Sequence, residues 1–282
     1  MPGSQRYRNR RGAVLRRTAE RSDAASSGPV RTRPLLGMAR EFAVVGFAAA
    51  VYGAVRAVTE GSVVQAIANA EAVNRIEHTL GIGWEQTVQS LVIGSTALVT
   101  LVNWIYIWGH WPVIIAASTF LYLQRPTHYR ILRNAIVTSG LIGFFFFYEV
   151  PTAPPRLVDL GLADTVLQQS HAYRTLQPPS LTNQYAAMPS LHFGWNLLVG
   201  IVLFAAFTSV AVRAFAVAMP IAMGFAVIAT ANHFVLDVAV SIPVVVVGLA
   251  VAVTLERYRN AGGRPEPPTR NPNNRSLRPG LH

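Results

Sequence analysis

The chain has 282 residues, of which 51% are hydrophobic and 13% charged; an ordinary soluble domain is about a quarter charged, so the composition excludes a simple water-soluble fold. Cysteine is absent, which excludes disulfides, iron–sulfur clusters and thiolate metal sites and leaves the redox compartment open. The net charge is +11, lysine is absent, and arginine crowds the two ends: ten arginines precede Glu41, and Arg257, Arg259, Arg264, Arg270, Arg275 and Arg278 follow the last apolar run.

In a soluble protein such charge would fit a nucleic-acid footprint. Beside apolar spans, arginine marks the cytoplasmic side and anionic headgroups, so membrane lipids are the expected partner and nucleic acid is not. Residues 1–38, rich in Arg, Ser, Gly and Pro, read as a disordered cytoplasmic arm. No cleaved signal peptide is expected, because the first apolar run starts about forty residues in without a small-residue cleavage site. That run, Phe42 to Val58, reads as a span. From Gly61 to Gln89 apolar residues recur three and four apart, which predicts an amphipathic helix along the interface or folded over the bundle mouth.

Val88 to Gln124 contains no Asp, Glu or Arg, and about 20 such residues cross a bilayer as helix. Trp104, Tyr106, Trp108 and Trp111 form an aromatic belt, and Pro112 interrupts the run. Leu91–Leu123 is therefore either two short helices crossing once or a hairpin crossing twice. The segment holding Arg125, Arg130 and Arg133 reads as cytoplasmic, as do both tails and Arg213. Placing all of them on one side requires an even number of crossings before Arg125, which favours six spans; seven, with the hairpin, is the alternative. The remaining spans are about Asn134 to Val150, Leu191 to Val210, Ala214 to Asn232 and Phe234 to Leu255. The predicted fold is all-α: a polytopic membrane helix bundle over residues 39–258, with a disordered tail over 259–282 and both termini cytoplasmic. Arg156, His192 and His233 then share the extracytoplasmic face, a co-location the charge argument did not presuppose.

Between Ser190 and Leu255 only Arg213 and Asp237 carry a formal charge, and hydrocarbon penalises each buried ionisable group by roughly 2.5–3.5 kcal/mol. His233 and Asp237 are four apart, so on a helix they share a face. The carboxylate can fix the imidazole tautomer and stabilise the cation that forms when the other nitrogen attacks. The plainer alternative is a polar pair that ties two helices together. His192 opens a helix after Pro189-Ser190, where amides and the dipole favour anions. Ser190 can cradle phosphate oxygens while His192 protonates a leaving oxygen; alternatively, Ser190 is only an N-cap and His192 an interfacial residue. Arg156 leaves a span through Pro151-Thr-Ala-Pro-Pro and can grip phosphate bidentately or snorkel to headgroups. Their conjunction at one membrane face composes a phosphoryl-transfer site. Tyr148, Gln184 and His110 are candidates for a headgroup pocket; Asn103, Glu149 and His110 also suit interhelical hydrogen bonds.

Ala187-Met-Pro-Ser-Leu-His-Phe-Gly194 and Asn232-His-Phe-Val-Leu-Asp237 resemble the second and third motifs of the type-2 phosphatidic acid phosphatase superfamily, in its inositol phosphorylceramide synthase-like (inositolphosphotransferase) branch. Pro151-Thr-Ala-Pro-Pro-Arg156 resembles the element standing in for the first motif, and the likeness runs from roughly Asn103 to Leu255. The resemblance implies a chloroperoxidase/phosphatidic acid phosphatase-like core and a metal-independent lipid phosphatase or phosphotransferase in the plasma membrane, with no cofactor. It also implies that His233 attacks a phosphoester to give a phosphohistidine, Asp237 positions it, and His192 acts as acid and then base. The commoner superfamily pattern has a starting lysine, a glycine before the second-motif histidine and an arginine six residues before the nucleophile; here lysine is absent and the other two places hold Leu191 and Val227. Arg156 and helix-end amides then carry more of the phosphate binding. The substrate expected is a lipid phosphate; hydrolase versus transferase, and oligomeric state, stay open. The rival class is a non-catalytic membrane scaffold or transporter.

Overall fold

A computed structural model of the protein describes residues 63–169 and 183–262. The predicted arm, the first predicted span and most of the tail lie outside them. Among the described residues the secondary structure is helical, apart from an isolated parallel bridge between Thr152 and Ala186. The elements are α1 (Val63–Leu80), α2 (Glu85–Ile93), α3 (Thr96–Trp108), α4 (Trp111–Gln124), α5 (Pro126–Glu149), a short 3-10 turn (Pro155–Leu157), α6 (Thr165–Gln169), α7 (Leu191–Ala206), α8 (Val210–Ala229) and α9 (Val235–Gly262).

Three helices, α5, α8 and α9, are long and apolar enough to cross a membrane. The pair α3 and α4 passes the same test jointly and bends by 48° at the break, where Pro112 occupies the first turn of α4. A bend of that size is no hairpin reversal. Helix α7 is apolar but shorter. Large apolar side chains face outward along these helices, among them Leu101, Phe145, Ile221 and Val246. Water would penalise that surface and lipid does not. The protein is a membrane protein.

The core is built between helices rather than beneath a sheet. Leu121, Leu132, Leu198, Val199, Val202 and Val245 pack together, uniting α4, α5, α7 and α9. With lipid outside, close packing of small residues replaces the hydrophobic drive. The α5–α9 contact illustrates it: a Cβ on Gly248 would lie 2.9 Å from the Ala135 carbonyl oxygen and 3.2 Å from the Ser139 Cβ. Ser139 Oγ in turn accepts from Trp195 Nε1 at 3.2 Å, tying α7 to the same seam.

Three sequence expectations shift in detail. The basic segment is helical: α5 starts at Pro126, where a missing N–H costs nothing, so Arg130 and Arg133 lie in its first turns. Helix α9 runs to Gly262, through the first residues of the expected tail. The expected amphipathic segment is two helices, and α1 buries Ala66, Ala70 and Val73 together with Glu77.

At one end of the bundle, Arg130 pairs with Glu256, Arg125 Nε donates to the Ala206 carbonyl at 3.3 Å, and Arg213 Nε donates to the Phe207 carbonyl at 2.9 Å. The Arg125 and Arg213 guanidinium groups close the C-terminal end of α7, and Arg130 ties α5 to α9. The opposite end, about 30 Å away along α9 by helix rise, carries the histidines.

Candidate active site

Backbone irregularity and burial meet at the start of α9. Ala231 sits in the left-handed region at φ 53°, and its carbonyl accepts from the Arg156 N–H at 3.1 Å while Asn232 and His233 both donate backbone N–H to the Val227 carbonyl at 3.1 Å. This knot holds His233 two residues ahead of α9. The four-residue spacing therefore does not place His233 and Asp237 on one helix face, as the sequence suggested. Asp237 lies in the first turn and reaches back, its Oδ2 accepting from the Phe234 N–H at 2.9 Å, the acidic half of a capping box.

His233 Nδ1 lies 2.8 Å from the Ala187 carbonyl oxygen and 3.4 Å from Asp237 Oδ2. Both neighbours are acceptors, so Nδ1 carries the hydrogen and Nε2 keeps its lone pair. The carbonyl is the nearer partner, a role that no side-chain motif announces. His233 and Asp237 are buried.

His192 enters from α7, whose N-cap is Ser190; the Ser190 Oγ accepts from the Phe193 N–H at 3.4 Å. Ser190 is fully buried and its N–H donates to the Asp237 carbonyl at 3.1 Å, which locks the start of α7 to α9. The His192 ring stacks on Tyr106 at 4.5 Å and on His110 at 4.1 Å between centroids, and its centroid is 6.1 Å from that of His233. Tyr106 and His110 flank the end of α3, so the helix break delivers the stack. His110 is buried, with no partner for Nδ1 among the described residues.

Arg156 arrives from the proline-rich exit of α5. Its Nη1 donates to Asn232 Oδ1 at 2.7 Å, beside His233, and its Nε donates to Asp164 Oδ2 at 2.9 Å. Asp164 also accepts the Leu167 N–H through Oδ1 at 2.9 Å, capping α6. Sequence reasoning passed over Asp164; a carboxylate eight residues from a candidate phosphate-binding arginine was its only signal. The segment Pro151–Gln169 is fastened to several elements. Asn69 Nδ2 donates to the Pro151 carbonyl at 2.8 Å, Gln89 Nε2 to the Ala163 carbonyl at 2.9 Å, and Asn103 Nδ2 to the Thr165 carbonyl at 2.9 Å.

This assembly joins the three strings singled out in the sequence. A family model described as the PAP2 superfamily matches residues 71–251, well over half of the chain. The chain belongs to the PAP2 superfamily. No curated protein and no solved structure matches it. The matched stretch begins within α1, upstream of the Asn103 boundary that the motifs alone suggested.

Of the three departures from the commoner PAP2 pattern, two have local explanations. Leu191, in place of glycine, sits against α5 where a Cβ on Gly143 would approach Leu191 Cδ2 to 3.0 Å, so Gly143 makes the room. Val227, in place of arginine, is fully buried and packs with Tyr106, Ile107, Val166 and Met223. A guanidinium, that of Arg156, is bonded to Asn232, the residue before His233. Tyr148 and Gln184 are not brought into this assembly: Tyr148 is exposed at the end of α5, Gln184 is half-buried in the turn before Ala187, and neither bonds to a catalytic candidate among the described residues. Sequence reading also missed Glu77 and Glu85, which are buried against the start of α9: Glu85 Oε1 accepts from the Val235 N–H at 2.8 Å and Glu77 Oε1 from the Leu236 N–H at 2.6 Å.

Proposed function

We propose that this PAP2 superfamily member is an integral membrane lipid phosphatase or phosphotransferase working through a phosphohistidine on His233. The observation that carries the reading is the pair of acceptors at His233 Nδ1, the Ala187 carbonyl and Asp237, which favours the tautomer whose Nε2 lone pair can act as a nucleophile. Nε2 attacks phosphorus, the bond from phosphorus to the leaving oxygen breaks, and protonated His192 gives its proton to that oxygen, releasing a neutral alcohol. His192, now neutral, takes a proton from the incoming hydroxyl, whose oxygen attacks phosphorus as the P–N bond breaks. A centroid separation of 6.1 Å leaves no room for a phosphoryl group between the two rings but keeps both imidazoles within reach of one group lying beside them. Arg156, the Ser190 hydroxyl and the α7 N-terminal amides bear the phosphoryl oxygens. The proposed reaction is metal-independent, and one oxygen each of Glu77, Glu85 and Asp237 serves the backbone amides at the start of α9.

The resemblance in the motif strings favours an inositolphosphotransferase-like activity on a phospholipid or related lipid phosphate, with a lipid hydroxyl as acceptor. We further propose six spans in the plasma membrane, with α3 and α4 as one broken crossing, the histidines extracytoplasmic and both termini cytoplasmic. The gathering of Arg125, Arg130 and Arg213 at the other end supports this orientation. On this reading residues 39–258 form the catalytic domain, with residues 1–38 and the tail as flanking segments.

Purified protein incubated with radiolabelled phosphatidylinositol plus a lipid acceptor, and separately with phosphatidic acid and with an isoprenoid pyrophosphate, tests the activity. A new phospholipid from the first supports transfer, and free phosphate from the others supports hydrolysis. His233→Ala is expected to lower turnover at least roughly 1000-fold while the protein stays membrane-inserted and monodisperse. Unchanged turnover in that variant would refute the assignment.

A further inference from the structure

Two glutamates from α1 and α2 reach the helix that carries the reaction. Glu77 is fully buried and Glu85 nearly so. They bond the Leu236 and Val235 amides at 2.6 and 2.8 Å, and Asp237 takes the Phe234 amide. Three successive N–H groups left orphaned by the start of α9 are thus satisfied by three carboxyl groups, two of them about 150 residues distant in sequence. Among the described residues neither glutamate pairs with an arginine. Glu77 Oε2 is buried without a partner.

We propose that Glu77 and Glu85 are positioning residues of the phosphoryl-transfer site, clamping the first turn of α9 so that His233 and Asp237 keep their mutual geometry. This inference rests on the functional reading above. The clamp brings like charges together in a buried place, and they cannot all ionise at neutral pH. Glu77 takes up the difference: burial, opposed in part by the Leu236 amide and reinforced by the neighbouring Glu85 and Asp237 carboxyls, pushes its pKa up to about 8. The titratable and charged groups on the surrounding elements are Glu85, Asp237 and His233, with His78 on α1 itself and Tyr185, Asp159 and the mutually paired Arg156 and Asp164 on the connecting segments. Neutral Glu77 still accepts from Leu236, and glutamine reproduces that state in shape and charge.

The sign follows from linkage. Between the ordinary value of 4.5 and about 8 the folded protein holds a proton that the unfolded chain releases. The stabilisation from that proton is complete below about 4.5, declines as pH rises, and is lost above about 8.

The experiment compares wild type, Glu77→Gln, Glu77→Ala and Glu85→Gln in detergent from pH 5.5 to pH 9.5. It reads kcat, KM, the thermal midpoint, and the rate at which diethyl pyrocarbonate modifies His233, followed by mass spectrometry. Glu77→Gln is expected to keep kcat and KM within about threefold near neutrality, to flatten the decline of the midpoint between pH 5.5 and about 8, and to remove the fall of kcat around pH 8. Glu77→Ala is expected to lower kcat roughly 10–100-fold at little-changed KM and to alter His233 modification. If Glu77→Ala fails to fold, the flattened midpoint profile and wild-type His233 modification of Glu77→Gln still decide. The proposal is overturned if Glu77→Gln loses as much as alanine, or if its midpoint declines between pH 5.5 and about 8 as wild type does. A wild type that turns over no substrate would instead overturn the functional reading, while the modification arm continues to judge the clamp.

Discussion

His233 owes its tautomer first to a backbone carbonyl and second to a carboxylate, and that order makes a mutational difference. In Asp237→Asn the amide oxygen can still accept from Phe234, and the Ala187 carbonyl still holds Nδ1–H, so only the stabilising charge is lost. We expect kcat to fall roughly 100-fold, short of the ~10,000-fold drop seen where a carboxylate alone sets the tautomer. A steady-state comparison at the pH optimum checks this. His192→Ala is expected to cost roughly 100–10,000-fold with an alkyl phosphoester and far less with a nitrophenyl ester, whose leaving oxygen needs no proton; equal losses on both would remove His192 from the acid role. Ala231 adds a backbone test. At φ 53° a side chain costs roughly 1–2 kcal/mol, and a β-branched one costs more. Ala231→Val should lower the thermal midpoint by several degrees and Ala231→Gly should not.

At the scale of elements, the seams depend on small residues. Gly248→Leu would drive a side chain into the Ala135 backbone and Ser139, and should cost about 1–3 kcal/mol, read as loss of the folded fraction in a denaturant titration. Much of this scale was legible in the sequence. The apolar lengths around Phe144, Ala216 and Val245 required spans, Pro112 marked the α3–α4 break, and Ser190-Leu-His announced the start of α7. The capping of α9 by Glu77 and Glu85 was not legible, because periodicity reports which face of α1 is apolar and says nothing of a partner 159 residues away. Nor could spacing show His233 outside the helix. Four residues read as one helical turn only if both residues are helical, and the Ala231 turn, set by contacts with Arg156, removes the first of them. The site residues were nameable because their chemistry is rare in an apolar chain; their bonds to main-chain groups were not, since a carbonyl leaves no mark in a sequence.

For the molecule as a whole, the two ends of the bundle are held by different chemistry. The Arg130–Glu256 pair is largely buried, with side chains 18% and 7% exposed, so removing one partner strands a charge. Glu256→Leu should therefore destabilise by several kcal/mol, and the double variant with Arg130→Met should recover part of that loss in the same denaturant titration. A guanidinium stays protonated at every pH a cell meets. The arginine end is thus held chiefly by permanent charges, whereas His110, His192, His233, Glu77, Glu85 and Asp237 congregate at the other. On the function proposed, acid or alkali can silence the chemistry of the histidine end while the guanidinium bonds to the Ala206 and Phe207 carbonyls go on undisturbed.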